Sequence, residues 1–93
     1  MLFPVKRLMI ENTGYKRDIS LKTIYINSSN VVSITDYDGA ADFLAREEST
    51  LKVESFSLVK LNHTSDDLIV LGTAKEIYSR LKSQNEDQGI LNG

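Results

Sequence analysis

Apolar residues along the chain fall into short runs separated by turn-forming clusters, a pattern that predicts several strands and few helices. Residues 5–11, Val-Lys-Arg-Leu-Met-Ile-Glu, predict a first strand that ends at Asn12-Thr13-Gly14, with Pro4 marking its edge or start. From Ile19 to Ile26 the chain is rich in Ile, Thr and Tyr. Ile19, Leu21 and Tyr25 share one parity and Ile24 and Ile26 the other, so this second strand is expected to be partly covered on both faces. Asn27-Ser28-Ser29-Asn30 supplies four turn formers in succession, and Val31, Val32 and Ile34 follow as a third short strand.

Residues 36–50 carry two readings. Asp38 can cap a short helix whose face is Ala40, Phe43 and Leu44, although Gly39 weakens it. The alternative is an irregular insertion in a long hairpin. The second half is simpler. Phe56 to Leu61 and Leu68 to Leu71 are two apolar runs joined by the polar Asn62-His63-Thr64-Ser65-Asp66-Asp67, an antiparallel hairpin with a long loop. Gly72 ends the last strand and Thr73 opens a helix, with Glu76 three residues on completing a capping box. Ala74, Ile77, Tyr78 and Leu81 lie on one face of that helix, and Glu76 with Arg80 forms an i,i+4 pair. After Lys82 the apolar period is lost. The expected organisation is one α+β domain over residues 1–83, followed by a flexible C-terminal tail over 84–93. The domain is a small, mostly antiparallel five-stranded sheet or open barrel with one internal helix and a C-terminal helix. The tail ends in the apolar Ile90-Leu91-Asn92-Gly93, for which docking onto a sheet edge is the alternative to a loose end.

Composition narrows the chemistry. At 93 residues, such a chain buries roughly 65% of its unfolded surface, enough for one thin core. The sequence has no cysteine, which excludes disulfides, thiol nucleophiles and cysteine-ligated zinc, and a single histidine, which excludes a His–His metal pair within one chain. No apolar run suits a secretory signal or a membrane span, so a reducing cytoplasm is the expected location. Asn27-Ser28-Ser29 and Asn62-His63-Thr64 match the N-glycosylation pattern, but both fall in predicted turns where Asn and Ser gather anyway.

The formal net charge of −2 conceals an asymmetry. Residues 1–22 hold Lys6, Arg7, Lys16, Arg17 and Lys22 against Glu11 and Asp18, a local net of +3. Residues 36–54 hold Asp36, Asp38, Asp42, Glu47, Glu48 and Glu54 against Arg46 and Lys52, a local net of −4. These are either solvated faces or the two halves of a contact between copies in which the regions meet.

Site chemistry is sparse. With Gly39 at the sixth position of a calcium loop, Ile34 and Ala45 stand where the first and last ligands belong, so the loop lacks two oxygen donors. His63 lies in a predicted loop beside Ser65, Asp66 and Asp67, where neighbours cannot hold a triad. The glycines never cluster into a phosphate loop, and the adjacent pairs Glu47-Glu48 and Asp66-Asp67 diverge on any regular element. An enzyme is not expected, nor any catalytic, metal or cofactor residue. Nucleic-acid binding is the alternative function: Lys6, Arg7, Tyr15, Lys16, Arg17, Lys22 and Tyr25 interleave cations with aromatics.

Ile10-Glu11-Asn12-Thr13-Gly14-Tyr15-Lys16-Arg17-Asp18, Asn27-Ser28-Ser29 and Leu71-Gly72-Thr73-Ala74-Lys75-Glu76-Ile77-Tyr78 together resemble small uncharacterised proteins of tailed phages of marine cyanobacteria. That resemblance implies a host cytoplasm and no particular mechanism. Ile26-Asn27, Val31, Ile34, a hairpin and a helix near Thr73 are similar to the flagellar-operon FlbD family, from which the acidic stretch Asp36 to Glu54 and Ser28-Ser29 depart. The expectation is a non-enzymatic protein–protein interaction or self-assembly domain, phage-encoded and homo-oligomeric, with a host or phage protein as the other class of partner and no membrane. Its expected contact residues are Lys6, Arg7, Lys16, Arg17, Asp36, Asp38, Asp42, Glu47 and Glu48.

Overall fold

The computed structural model describes the backbone of residues 1–92 and, apart from Thr13, the side chains of residues 1–83. Two long strands, β1 (Leu2–Thr13) and β2 (Lys16–Asn27), pair antiparallel in unbroken register from Leu2↔Asn27 to Thr13↔Lys16. Only Gly14 and Tyr15 lie between them. Gly14 takes φ +68° and Tyr15 does not share the positive sign, the arrangement of a type II′ hairpin turn whose twist matches the strands. At roughly 3.3 Å per residue each strand is about 40 Å long. The strands therefore run past the 5–11 and 19–26 limits that apolar content alone suggests, because polar residues such as Asn12 and Arg17 remain in the ladder.

After a 3-10 turn at Ser28–Asn30, β3 (Val31–Tyr37) leads into helix α1 (Gly39–Arg46) and a second 3-10 turn, Thr50–Val53. Strands β4 (Phe56–Leu61) and β5 (Leu68–Leu71) form the expected hairpin, and α2 is Ala74–Asn92. The expected tail over 84–93 and the docking of Ile90–Gly93 concern side chains that lie outside the described residues. The five strands make one antiparallel sheet in the order β2-β1-β5-β4-β3, with the helices packed on it. This is an α+β fold with an open sheet. Among the described residues its outer strands, β2 and β3, have no strand partner on their far sides.

Each strand feeds two apolar clusters, one per face. Phe3, Val5, Ile26, Val59, Leu68 and Val70 pack with Ile77 of α2, while Leu8 and Phe56 pack with Ala40 and Leu44 of α1 on the opposite face. Parity explains the division. Ile24 joins the α2 side, whereas Ile19 and Leu21 join the α1 side. Ser57 is the buried polar residue of β4, and its hydroxyl donates to the Gly72 carbonyl at 2.6 Å. The Gly72 amide donates to the Ser55 carbonyl at 2.8 Å, so this glycine, at φ +115°, is tied at both polar atoms where β5 turns into α2.

The start of α2 is fixed by a contact distant in sequence, whereas the ends of α1 are fixed locally. At the start of α2 the Ala74 amide donates to Asp36 Oδ1 at 2.8 Å, and Glu76 N–H donates to Thr73 Oγ1 at 3.2 Å. The Thr73 hydroxyl in turn donates to Glu76 Oε1 at 3.1 Å. At the start of α1, Asp38 occupies the cap position without a side-chain cap bond, so its expected capping role falls to its carbonyl, which accepts from Ala41 N–H at 3.1 Å. Gly39 has a packing reason: a Cβ there would meet the Tyr37 ring at 2.5 Å. The helix ends in a Schellman motif. Ser49 N–H donates to Leu44 O at 3.0 Å and Glu48 N–H to Ala45 O at 3.1 Å, with Glu48 at φ +54° in the position that glycine usually fills.

Candidate functional site

The two helices cover the sheet diagonally. α2 lies on one face over the half of the hairpin that carries Phe3, Val5 and Ile26, while α1 lies on the other face over the half that carries Leu8, Ile19 and Leu21. Two quarters of the β1–β2 surface therefore have no helix over them, and they differ in chemistry. On the α2 face the open quarter presents Arg7, Glu11, Asp18, Ser20 and Lys22 around the partly buried Met9, a mostly polar mixture suited to water. On the α1 face it presents Leu2, Pro4, Lys6, Thr23 and Tyr25, because Pro4 pairs opposite Tyr25 and Lys6 opposite Thr23. Leu2 is 61% exposed, Tyr25 66%, and Val53 of the nearby 3-10 turn 79%. Large apolar groups left in water at one place are the observation that calls for explanation.

This quarter surrounds a gap in the sheet. β1 and β5 share a single bridge, Arg7↔Val70, and beyond it β1 continues towards Leu2 while the end of β5 turns away at Gly72. The opening is a cavity of about 500 Å³ between Pro4, Val5 and Lys6 on one side and Val53, Glu54, Ser55 and Leu71 on the other, with Glu76 and Arg80 of α2 at its far end. Pro4 fits here because β1 lacks a ladder partner at this point, so its missing N–H costs no strand-to-strand bond on that side. Its carbonyl accepts from the Arg80 guanidinium across the opening.

The sequence-predicted contact residues are spread over the molecule. Lys6 lies on the α1 face at the rim of the cavity, and its neighbour Arg7 is half-buried on the other face, opposite Lys22. Lys16 and Arg17 are divided in the same way at the far end of the hairpin. Arg17 reaches α1, where its guanidinium lies 3.4 Å from Glu47 and 5.6 Å from the centre of the Phe43 ring. The basic and acidic regions thus meet inside one chain at this ion pair, an exposed contact worth at most about 1 kcal/mol. Asp36 is committed to the α2 cap, while Asp38, Asp42 and Glu48 are exposed around α1. Asp36, Asp38 and Glu54 line one shallow groove of about 280 Å³, yet no group of carboxylates or histidine among the described residues is arranged to hold a metal ion. His63 is exposed in the β4–β5 loop. Among the described residues, no helix is long and apolar enough to cross a membrane.

Residue types alone do not single out Leu2 and Val53, and they mark Tyr25 only as an aromatic among the N-terminal cations. The parity of Tyr25 with Ile19 and Leu21 was visible, but it suits a core position equally well until the length of α1 is known. No protein-family model, curated protein or solved structure matches the chain.

Proposed function

We propose that this chain is a non-enzymatic protein–protein interaction domain that can self-assemble, working through the open quarter of its sheet. The observation that carries the reading is the exposure of Leu2 and Tyr25, which flank Pro4 on the sheet, and of Val53, which with Pro4 lines a cavity with charged rims. A folded domain gains nothing from such a group by itself, whereas covering it with a partner recovers roughly 25 cal/mol per Å² of apolar surface. The unpaired outer edges of β2 and β3 give further places for association. A phage origin and a cytoplasmic setting belong to the same proposal and rest on the resemblance of the segments around Gly14 and Thr73. Nucleic-acid binding receives less support: Lys6 and Arg17 face one way, Arg7, Lys16 and Lys22 the other, and Arg17 is neutralised by Glu47. Sedimentation from low to high micromolar concentration, with a pull-down from lysate beside it, tests the reading. Association or a saturable partner is expected. A strict monomer that retains no protein contradicts it.

A further inference from the structure

The outer edge of β2 carries a charge pattern that one chain leaves uncompensated. Across the β1–β2 ladder Glu11 stands directly opposite Asp18, and Arg7 directly opposite Lys22. Two like-charged pairs therefore share the open α2 face of the hairpin, and like charges directly opposite each other destabilise a sheet. Asp18 and Lys22 are exposed, and neither has an ion-pair partner among the described residues. They lie on either side of Ser20, on one face of the strand.

The backbone of this edge is ordered to match. Ser28 N–H donates to Met1 O at 2.9 Å, continuing the β1–β2 register, so the even-numbered residues of β2 exchange their hydrogen bonds with β1. Arg17, Ile19, Leu21 and Thr23 turn their amides and carbonyls outward, where no strand meets them among the described residues. A second β2, antiparallel about a two-fold axis at Ser20, engages these same groups: Ile19 of each copy faces Leu21 of the other, and Arg17 faces Thr23. That register also sets Asp18 of each copy opposite Lys22 of the other. A row across four strands then runs Glu11 and Asp18 from one copy, Lys22 and Arg7 from the other, so both like-charged pairs meet their opposites. On the other face Ile19 and Leu21, half-buried at the margin of the α1 cluster, extend it across the axis. The hairpin tip, with Tyr15 fully exposed, comes alongside the exposed Tyr25 of the other copy. Neighbouring registers are worse: an axis at Asp18 or Lys22 sets that charge against itself, an axis at Ile19 sets Lys16 against Lys22, and an axis at Leu21 leaves Asp18 opposite Ile24.

We infer that β2 pairs antiparallel with β2 of a second copy about a two-fold axis at Ser20, joining the two sheets into one. The inference rests on the self-assembly part of the reading above and uses the strand edge, not the apolar open quarter.

Sedimentation equilibrium on the full chain and on Asp18→Lys, Lys22→Asp and the Asp18→Lys/Lys22→Asp pair tests it, with circular dichroism verifying each fold. Each single reversal relieves a like-charged pair inside the hairpin, so the monomer is not put at risk. Across the axis it sets like charges together twice and is expected to weaken the dimer about tenfold. The double exchange restores the opposition and returns the dimer to within about threefold of the parent. Hydrogen exchange reads the backbone: the Ile19, Leu21 and Thr23 amides should slow as concentration rises through the dimer transition. A dimer indifferent to both single reversals, or one whose Ile19 and Leu21 amides exchange equally fast at every concentration, overturns the β2 pairing. Protection that appears instead at Val53–Ser55 leaves the open quarter standing as the contact. A chain that stays monomeric yet captures a different protein overturns the pairing and keeps the interaction reading. A monomer without any partner removes both.

Discussion

Glu48 offers the sharpest test of how α1 is anchored. Its φ of +54° is the sole positive value at a non-glycine position among the described residues, and it closes the Schellman motif that turns the chain from α1 towards the 3-10 turn at Thr50–Val53. A side chain held in that left-handed conformation costs about 1–2 kcal/mol. Replacement by glycine removes the cost but gives the unfolded chain more freedom, which returns about 0.4–1 kcal/mol. The carboxylate also sits at the negative end of the helix, where its removal contributes a few tenths of a kcal/mol at most. Glu48→Gly is therefore expected to stabilise the domain by about 0.5–1 kcal/mol, or roughly 2–8 °C in Tm for a chain of this size. Urea unfolding followed by circular dichroism measures it, with an unchanged m-value showing that the gain is in stability. Glu48→Ala separates the causes, since alanine loses the charge yet keeps a Cβ, and its gain should stay within a few tenths of a kcal/mol. If glycine does no better than alanine, the conformational argument is wrong.

Leu44, fully buried on the sheet-facing side of α1, should cost about 2–5 kcal/mol as Leu44→Ala in the same urea assay. Gly72→Ala should lose about 1–3 kcal/mol, because φ of +115° is hostile to a side chain and both polar atoms of this residue are held by bonds to or from β4 and Ser55; a neutral result would show that the junction relaxes freely. Asp36→Ala should cost about 0.5–2 kcal/mol through the lost α2 cap, whereas Asp36→Asn keeps an accepting oxygen and most of the stability. Hydrogen exchange at the Ala74 amide reports that bond directly, and exchange as slow in Asp36→Ala as in the parent would count against it.

Much of this fold is legible from the order of residues, for a physical reason. Period-two alternation in Ile19 to Ile26 and the paired apolar runs Phe56 to Leu61 and Leu68 to Leu71 record local geometry, and the sheet contains them as β2, β4 and β5. Thr73 and Glu76 signal the start of α2 because a helix cap is itself local. Ala40, Phe43 and Leu44 likewise favoured the helix over the irregular insertion in the 36–50 stretch, and α1 is there. Relations between distant segments were hidden. The Asp36 cap spans 38 residues, the Arg17–Glu47 pair spans 30, and nothing in either neighbourhood announces the other. Tyr37 against Gly39 turns an apparent helix weakness into a packing need that only the folded ring position reveals.

The candidate surface depended on those distant relations. Tyr25 sits in water instead of a core because α1 is only eight residues long and covers only the Leu8 half of the face. The gap between β1 and β5 exists because β5 is four residues long and Gly72 redirects the chain, so the twelve-residue β1 outruns its neighbour. Charge asymmetry, the strongest sequence lead, proved to be divided between faces and partly closed within the chain at Glu47.

The most direct test of the central claim is an amide NMR spectrum of the full chain recorded over a dilution series. If the open quarter is the contact surface, concentration-dependent shifts or broadening should concentrate at Leu2–Lys6, Thr23–Tyr25 and Val53–Ser55, leaving the hairpin tip and the outer edge of β3 unchanged. Changes confined to the outer edges of β2 or β3, with those three segments constant, would contradict it.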